Sequence, residues 1–473
     1  MRYNDVLVTV TVAILCAGCS GGSAEQWNAQ AIQPYAENPR YWQYQGKPVL
    51  LVGGSKTDHL FLADSLLEHL DEMAAVGANY VRNTMSQRED VTLKPHKLLE
   101  DGTFDLDQWN EDYWQRFANF LEWTSERDII IQIEVWDRFD YSQSYWEISP
   151  WRPAINVNYT ADDTGFDNEY PLHPGKDQQP FFHSIPGMPK YNPKLDRVRA
   201  YQEAFVDKML SYSLDYGNVL YCMNNETSTP VEWGQYWMEY IQSKAQKRSR
   251  SIYTTDMFGH FFRPRSCESC LLAIRATEMY MFLDVSQNNS RNFHQAHWDT
   301  LQWILQERDK NPLRPVNNTK IYGGGHFGFG TGSNADGVAR LCRNIVGGCA
   351  SGRHHRPPWG AGLNDVARAS IKAIRSVEQY VHFWDVKPQM ELLGDRESNE
   401  AYVTAAPGRL YVVYFPDGGE VTLNLQGQTG TFSGRWISVV DGMEKDGFTL
   451  QGGNALPLQT PADGGWFAVV VRE

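Results

Sequence analysis

Residues 219–226 have the sequence Val-Leu-Tyr-Cys-Met-Asn-Asn-Glu. An apolar run of this length is typical of a buried strand, and here it ends in three polar residues. The pattern occurs earlier as well, where residues 129–137 have the sequence Ile-Ile-Ile-Gln-Ile-Glu-Val-Trp-Asp. Strands that are apolar almost throughout are typical of parallel sheets covered on both faces by helices. The two stretches therefore predict a parallel α/β fold.

Apolar strands and amphipathic helices alternate on both sides of these stretches. Eight such strand–helix units between residues 36 and 386 predict a (β/α)8 TIM barrel. Beyond residue 386, short strands are separated by turns such as residues 416–419, and this spacing predicts an all-β sandwich. We therefore expect an α/β barrel over residues 36–386 and a small C-terminal β-sandwich domain over residues 387–473.

The N-terminus has the pattern of an export signal. An apolar run over residues 6–15 is too short to span a bilayer. It ends in Leu-Cys-Ala-Gly-Cys, residues 15–19, which resembles a bacterial lipoprotein lipobox with Cys19 as the lipidated residue. The resemblance implies a signal peptide over residues 1–19, a tether over 20–35 and a lipid anchor in the outer membrane. An ordinary secretory signal is the alternative, and either one implies the bacterial cell envelope or the exterior.

Composition narrows the class of ligand. The chain has 43 Lys and Arg against 57 Asp and Glu, which gives a net charge of −14. Because phosphate binding needs clustered cations, this balance argues against nucleic acid as a partner. The 16 Trp, 24 Tyr and 21 Phe suit a flat-faced ligand such as a carbohydrate. We expect a monomer that binds carbohydrate and uses no cofactor.

Five cysteines follow the predicted signal segment. Cys267 and Cys270 have the spacing of a zinc half-site with His260, but the sequence offers no second pair of ligands, so we predict no metal site. A local disulfide or two free thiols are the alternative. Because the count is odd, at least one thiol is free, and Cys222 inside its apolar strand is the candidate.

The acid at the end of the fourth strand is the first catalytic candidate. In a (β/α)8 barrel the catalytic groups lie at the carboxyl ends of the strands. Strand alternation places Glu226 on the same face as Asn224 and Cys222. The Asn-Glu ending resembles the cellulase-like clan of (β/α)8-barrel glycoside hydrolases, in which the acid at this position is the acid/base. The resemblance implies that Glu226 is the general acid and that Asn225 contacts the sugar beside the scissile bond.

The third strand offers further candidates. Glu134 and Trp136 share the face that is expected to point into the barrel, and Trp136 is a candidate stacking platform. Glu134 is either paired structurally with Arg82 or a second catalytic carboxylate, because an unpaired buried charge is costly. Asp137 lies higher, where it would bind a hydroxyl group or serve as a base. Arg82, at the end of the second strand, matches the clan's arginine that orients the catalytic carboxylate, and we expect it to contact substrate.

The predicted seventh strand, residues 315–322, departs from the clan, because Lys320 stands where the nucleophilic Glu is expected. Three explanations remain open: an inverting enzyme with a base on another strand, a different strand count, or a relative that only binds. A lysine at this position also fits an anionic substrate. Asp58 on the first loop, together with His354, Arg356 and Trp359 on the last, completes the predicted substrate contacts.

A finer resemblance covers nearly the whole chain after the signal. The hairpin over residues 38–48, the barrel and the sandwich are similar to secreted bacterial barrel proteins described as cellulase-like, some with a sandwich labelled collagen-binding. The implied function is a glycoside hydrolase that cleaves a plant or algal polysaccharide or oligosaccharide. The predicted mouth is basic, which favours an anionic glycan; its cations are Arg82, Lys320, Arg353 and Arg356. The alternative is a non-catalytic surface lipoprotein that binds glycan on a degenerate barrel.

Overall fold

The computed structural model describes residues 24–86, 88, 93–176, 179–326 and 328–473. The predicted signal segment with Cys19 lies outside these residues.

The predicted tether is wrong over residues 24–35. These residues form a helix, Ala24–Gln30, and a strand, Gln33–Pro34, which pairs with Trp42–Tyr44. The physical reason lies in Ile32, which is buried and donates its backbone N–H to Gly217 at 2.7 Å. Strand Trp42–Tyr44 in turn pairs with Lys47–Val49, which forms the predicted hairpin.

Strand and helix alternate eight times in the described chain. The strands, here β1 to β8, are Leu51–Gly54, Tyr80–Thr84, Ile130–Asp137, Val219–Asn225, Thr254–Thr255, Leu283–Asp284, Val316–Asn317 and Ser351–His354. The main helices that follow them, α1 to α8, are Leu66–Ala75, Glu111–Glu126, Leu195–Ser213, Val231–Lys247, Glu268–Arg275, His294–Arg308, Asn334–Val346 and Asp365–Glu378.

Side-chain caps mark several helix starts. Asn110 caps α2, Asn364 caps α8, and Ser333 forms a capping box with Asp336 at the start of α7. Each cap satisfies a backbone N–H of the first turn, which has no partner inside the helix. The strand-to-helix connections that precede these caps therefore end at defined points, and they carry the polar groups described below.

The strands pair in chain order. β2, β3, β4 and β5 form one parallel ladder, β6 pairs with β7, and β8 pairs with β1. Single backbone bonds connect these groups: Asn79 N–H donates to Val52, Met281 N–H to Thr254 and Ala350 N–H to Val316, at 2.8 to 2.9 Å. The carboxyl ends of these strands face one side of the domain, where parallel α/β folds hold their sites.

The longest connection, residues 138–194, follows β3 and has an aromatic core of its own. Trp146 and Trp151 are buried, and the rings of Tyr141 and Phe181 stack with centroids 3.8 Å apart. Many of this loop's aromatic residues therefore pack against one another, and this packing holds the loop in place at one side of the cavity described below. Another short hairpin, His96–Leu98 with Phe104–Trp109, lies between β2 and α2.

Nine antiparallel strands follow α8. The strands β9 to β17 are Lys387–Pro388, Leu393–Gly394, Tyr402–Ala406, Leu410–Phe415, Glu420–Asn424, Thr431–Ser438, Glu444–Gln451, Ala455–Gln459 and Trp466–Arg472. They form a six-stranded sheet in the order β9-β11-β12-β17-β14-β15 and a three-stranded sheet in the order β10-β13-β16.

The central strands of the six-stranded sheet are buried on both faces. Along β12, Val412 and Tyr414 belong to the core shared with the α/β domain, whereas Tyr411 and Val413 face the three-stranded sheet. This two-sided burial explains why β12 is apolar throughout rather than alternating. Tyr402 on β11 packs its ring 4.6 Å from that of Trp298 on α6. The sandwich thus supports the helices of the α/β domain.

Cys267 and Cys270 form a disulfide at the start of α5, so the disulfide alternative is confirmed. Cys222 is a buried free thiol as predicted, and Cys342 and Cys349 are free as well. Within the described ranges, no helix has both the length and the apolar character needed to cross a bilayer.

Replacing Gly53 with alanine tests the close approach of β1 and β2. A Cβ atom at Gly53 would lie 1.9 Å from the backbone oxygen of Tyr80. We expect Gly53→Ala to lower the free energy of unfolding by about 3 kcal/mol in urea denaturation, because the backbones must separate. Gly46→Ala is the control, since a Cβ there meets no atom within 4 Å; it should cost only its positive-φ strain, about 1 kcal/mol. Equal losses in both variants would contradict the close packing.

Candidate active site

A cavity of about 430 Å³ opens at the carboxyl ends of the strands. Each of the eight strand-to-helix connections contributes to its wall. The wall contains many more cations than carboxylates, and its carboxylates are Asp58 and Glu226. The charged and aromatic lining residues are Asp58, Arg88, Arg138, Phe139, Tyr145, His173, Glu226, His260, Phe262, Arg263, Arg291, Lys320, Tyr322, His355, Arg356 and Trp359.

The backbone turns sharply where β4 delivers Glu226 to the cavity. β4 ends at Asn225, and Glu226 has φ of +51°, in the left-handed region that residues with a side chain rarely adopt. Asp256 holds this turn, because its carboxylate accepts bonds from the backbone N–H of Asn224 at 3.0 Å and the hydroxyl of Thr227 at 2.5 Å. The predicted alternation that placed Glu226 beside Asn224 is therefore wrong, since the strand geometry ends one residue earlier.

Three cationic or hydroxyl groups surround the Glu226 carboxylate. Lys320 Nζ donates to Oε1 at 2.7 Å, Tyr322 donates its hydroxyl to the same oxygen at 2.9 Å, and Arg138 lies 3.4 Å from Oε2. Burial alone would raise the pKa of Glu226, but Lys320 and Arg138 outweigh it and hold the pKa far below its usual range. Glu226 is therefore ionised in the unliganded cavity, which differs from the protonated state that a general acid needs.

Lys320 links Glu226 to its neighbour on the same turn. Lys320 is 2% exposed, and its ammonium group donates both to Glu226 and to the Asn225 side-chain oxygen. Asn225 in turn donates to Asp137 at 2.9 Å. Lys320 therefore neutralises Glu226 from the connection after β7. Tyr322, two residues further on, has a pKa that burial and Glu226 raise well above its usual value, so it remains a donor.

Arg82 lies beneath the cavity as the centre of a buried ion-pair network. It is fully buried and donates to both oxygens of Glu134 and to Asp58. Burial raises the pKa of Glu134 to about 7, but the side chain is 0% exposed and does not line the cavity. The predictions that Arg82 contacts substrate and that Glu134 is a catalytic carboxylate are therefore wrong. The structural pairing of these two residues is confirmed.

Asp137 is also enclosed rather than facing the cavity. Its carboxylate accepts from Arg88 at 2.7 Å and from Asn225 at 2.9 Å, and it caps the 3₁₀ turn that follows β3 by accepting from Phe139 N–H. It is 2% exposed and absent from the cavity wall. The predicted role of Asp137 as base or hydroxyl ligand is wrong, because its side chain does not reach the cavity wall.

Two more residues predicted to contact substrate have side chains that face the surrounding helices instead of the cavity. Trp136 is 1% exposed, and its ring packs against Trp237 of α4 and Phe205 of α3 with centroids 5.2 and 5.3 Å apart. His354 is fully buried and bonds the hydroxyl of Ser370 on α8 at 3.0 Å. Both predictions of substrate contact are wrong, since these side chains face the helices; His355, one residue later, lines the cavity instead.

The remaining predicted residues meet in the cavity wall: Asp58, Asn225, Glu226, Lys320, Arg356 and Trp359. Arg356 bonds Asp58 at 2.7 Å, and Trp359 packs edge-on against His326. Burial would raise the pKa of Asp58, but Arg82 and Arg356 hold it well below its usual range. Asp58 is thus a second ionised carboxylate in the cavity.

Several cavity residues were missed. Tyr322 stands two residues after Lys320, so strand alternation would have placed both on one face. Arg138 follows Asp137 directly, at the start of a connection whose course no periodic pattern reveals. Phe262, Arg263 and Arg291 lie on connections after the two-residue strands β5 and β6, where the sequence carries no sign of which residues turn inward.

Comparison with known proteins identifies the type of fold. The family model described as "Domain of unknown function (DUF6298)" matches residues 100–255. No curated protein matches the sequence. A glycoside hydrolase family 5 structure from Bacteroides vulgatus ATCC 8482 is similar with a TM-score of 0.63, covering 94% of each chain at 14% identity.

Two other solved structures are similar over a comparable length. One, described as a glycoside hydrolase, has a TM-score of 0.63 at 13% identity and covers 95% of this chain and 98% of that chain. The other, a gamma-CGTase from Alkalophilic bacillus clarkii, has a TM-score of 0.55 at 10% identity over 93% and 71%. Identities this low show the fold alone: a mixed α/β fold like that of glycoside hydrolases, with antiparallel strands at the C-terminal end.

Replacing Glu134 with glutamine tests its structural role. The change leaves Arg82 buried with one carboxylate fewer, and we expect the free energy of unfolding in urea to fall by about 3–5 kcal/mol. Asp64→Asn is the matched control, since Asp64 pairs with Arg116 at 2.9 Å but is 92% exposed, and it should cost less than about 1 kcal/mol. A Glu134→Gln protein as stable as this control, but inactive, would instead make Glu134 catalytic.

Proposed function

We propose that the protein is a glycoside hydrolase, built on a closed (β/α)8 barrel, that cleaves an anionic glycan of plant or algal origin with Glu226 as general acid. The observation that carries this proposal is the position of Glu226 at the carboxyl end of β4, in a cavity walled by all eight connections and rich in cations. The glycoside hydrolase-like fold supports it. The backbone bonds that connect β1 to β8 in chain order support closure.

The charge of the cavity supports an anionic substrate. Its wall contains five arginines and a lysine: Arg88, Arg138, Arg263, Arg291, Arg356 and Lys320. They outnumber the two carboxylates there, although the whole chain has a net charge of −14. Uronic acids and sugar sulfates present the planar or multi-oxygen anions that arginine binds with paired hydrogen bonds.

An anionic substrate would also change the protonation of Glu226. A carboxylate or sulfate bound beside Lys320 and Arg138 neutralises the charges that lower the pKa of Glu226. Burial, which raises the pKa, then dominates, and Glu226 takes up a proton. Substrate binding thereby converts the ionised residue of the free cavity into the acid that protonates the leaving oxygen.

Asp58 is the second carboxylate of the proposal. In this proposal Asp58 has the role that the sequence analysis gave to Glu134 or Asp137, which are enclosed. Among the described residues only Asp58 and Glu226 bring carboxylates to the cavity wall. Arg82 and Arg356 keep Asp58 ionised, which suits a base that activates water or a charge that stabilises an oxocarbenium-like transition state.

A second candidate function is glycan binding without cleavage. Lys320 favours it, since its ammonium group pairs with Glu226 where the resembling clan has a nucleophilic carboxylate. For either function we infer that the chain is exported and attached to the cell envelope through Cys19. The sandwich is inferred to be a support for the α/β domain, on the basis of its shared core.

Replacing Glu226 with glutamine separates cleavage from binding. Loss of a general acid typically costs about 10²–10⁴ in rate, and we expect a loss of that size in the release of reducing ends. The substrates are polygalacturonate, alginate, a sulfated galactan and neutral cellulose. Glu239→Gln, an exposed acid on α4, is the control. Binding of a charged glycan with no turnover by wild-type protein would favour the second candidate.

Proton uptake on binding tests the predicted change at Glu226. Because the pKa is low in the free cavity and higher beside a bound anion, binding should take up protons, and affinity should fall as the pH rises from the pKa of the free site towards that of the complex. A sulfated oligosaccharide is the ligand, since its sulfate groups do not titrate in this range. Calorimetry in two buffers of different ionisation enthalpy measures the uptake. Glu226→Gln retains any contribution from His173 and His355, so identical uptake in that variant would contradict the prediction.

A further inference from the structure

Phe262 lies between two guanidinium groups. The Arg291 Cζ atom is 4.7 Å and the Arg263 Cζ atom 5.2 Å from the centre of the Phe262 ring. Phe262 and Arg263 belong to the connection after β5, and Arg291 ends the short helix Asn288–Arg291 after β6. All three residues line the cavity, and we call them the Phe262 platform.

The charges of this platform are uncompensated. Arg356 is bonded to Asp58, and Lys320 to Glu226. In contrast, neither Arg263 nor Arg291 forms an ion pair or a side-chain hydrogen bond with the residues that the structure describes, and both are exposed. Arginines stacked on a ring have their guanidinium planes held in place, with their N–H groups still free to bind an anion.

A second arginine–phenylalanine cluster lies on the other side of β4, and its arginines are ion-paired, Arg88 with Asp137 and Arg138 with Glu226. Arg138 and Arg88 are 4.9 and 5.4 Å from the centre of the Phe139 ring, and all three residues line the cavity. We call this cluster the Phe139 platform. Phe139 follows β3 and Phe262 follows β5, whereas Glu226 follows β4, and the sheet order is β5-β4-β3. The two platforms therefore flank Glu226.

The two platforms are close enough to act on one group. Burial, and then Arg263, Arg138 and Arg291, lower the pKa of His260, which lies in the cavity wall between them. His260 is thus neutral at pH 7 and leaves the positive charge to the arginines. A glycan that crosses the cavity past Glu226 therefore meets one platform on each side of that residue.

We propose that the Phe262 platform is a second anion subsite, so that the glycan has negative charge on sugars on both sides of the bond beside Glu226. The inference rests on the proposed function and narrows its substrate to a polyanionic glycan with closely spaced charges, such as a polyuronate or a regularly sulfated polysaccharide. Arg263 and Arg291, both packed against the Phe262 ring, bind the carboxylate or sulfate group of a sugar. A glycan in which most sugars are neutral and charged sugars are far apart leaves one platform unoccupied.

The test compares the affinity of variants for paired ligands. Arg263→Ala/Arg291→Ala is the double variant. The matched control is Arg265→Ala, an exposed arginine of the same segment that packs on Trp303 and does not line the cavity. The ligands are tetragalacturonate and a sulfated galactan tetrasaccharide, each alongside a form with a single charged sugar. Calorimetry is performed in the Glu226→Gln background, so that no ligand is cleaved.

We expect the double variant to lose about ten-fold or more in affinity for the fully charged tetrasaccharide, equivalent to about 1.4 kcal/mol. Its affinity for the singly charged form should change less than about two-fold, and Arg265→Ala should bind both as the parent does. Retained affinity in the double variant, with weakened binding in Arg138→Ala, would overturn the second subsite and leave the proposed function standing. If no charged tetrasaccharide binds better than its neutral counterpart, both proposals fail.

Discussion

The ion-pair network around Arg82 determines where the charged groups of this domain lie. A buried guanidinium needs acceptors for its N–H groups, and Arg82 on β2 has two carboxylates, Glu134 from β3 and Asp58 from the connection after β1. Asp58 then holds Arg356 from the connection after β8. One buried cation therefore links, directly or through Asp58, groups from β2, from β3 and from the connections after β1 and β8, and it leaves Asp58 with one side towards the cavity.

A second chain of contacts orders the opposite side of the cavity. Lys320 joins Glu226 and Asn225, and Asn225 joins Asp137, which also holds Arg88. Each buried carboxylate in this chain has a cation or an amide opposite it, so the charge of each carboxylate is compensated. The exposed arginines of the Phe262 platform, in contrast, have no carboxylate partner among the described residues.

The long apolar strands were predictable, because runs such as residues 129–135 and 219–223 have no other place in a soluble protein than between covering helices. Glu226 was found because it follows such a run after two asparagines, and Lys320 was found by comparing the predicted seventh strand with the resembling clan. Trp136 was misplaced because alternation was extended to the last residues of β3. His354 was misplaced because it was assigned to the last loop, whereas it is the final residue of β8. Phe262 and Arg291 follow strands of two residues, which give no periodic pattern to extend.

The contrast between a chain of charge −14 and a cationic cavity has a consequence for the kinetics of encounter. A polyanion approaching at random is repelled by most of the surface and attracted only at the mouth of the cavity. Salt screens the long-range repulsion beyond about 8 Å at physiological ionic strength, while the contacts inside act at shorter range. Moderate salt should therefore speed association even as it loosens the complex, so a saline habitat would favour rapid capture of a charged glycan.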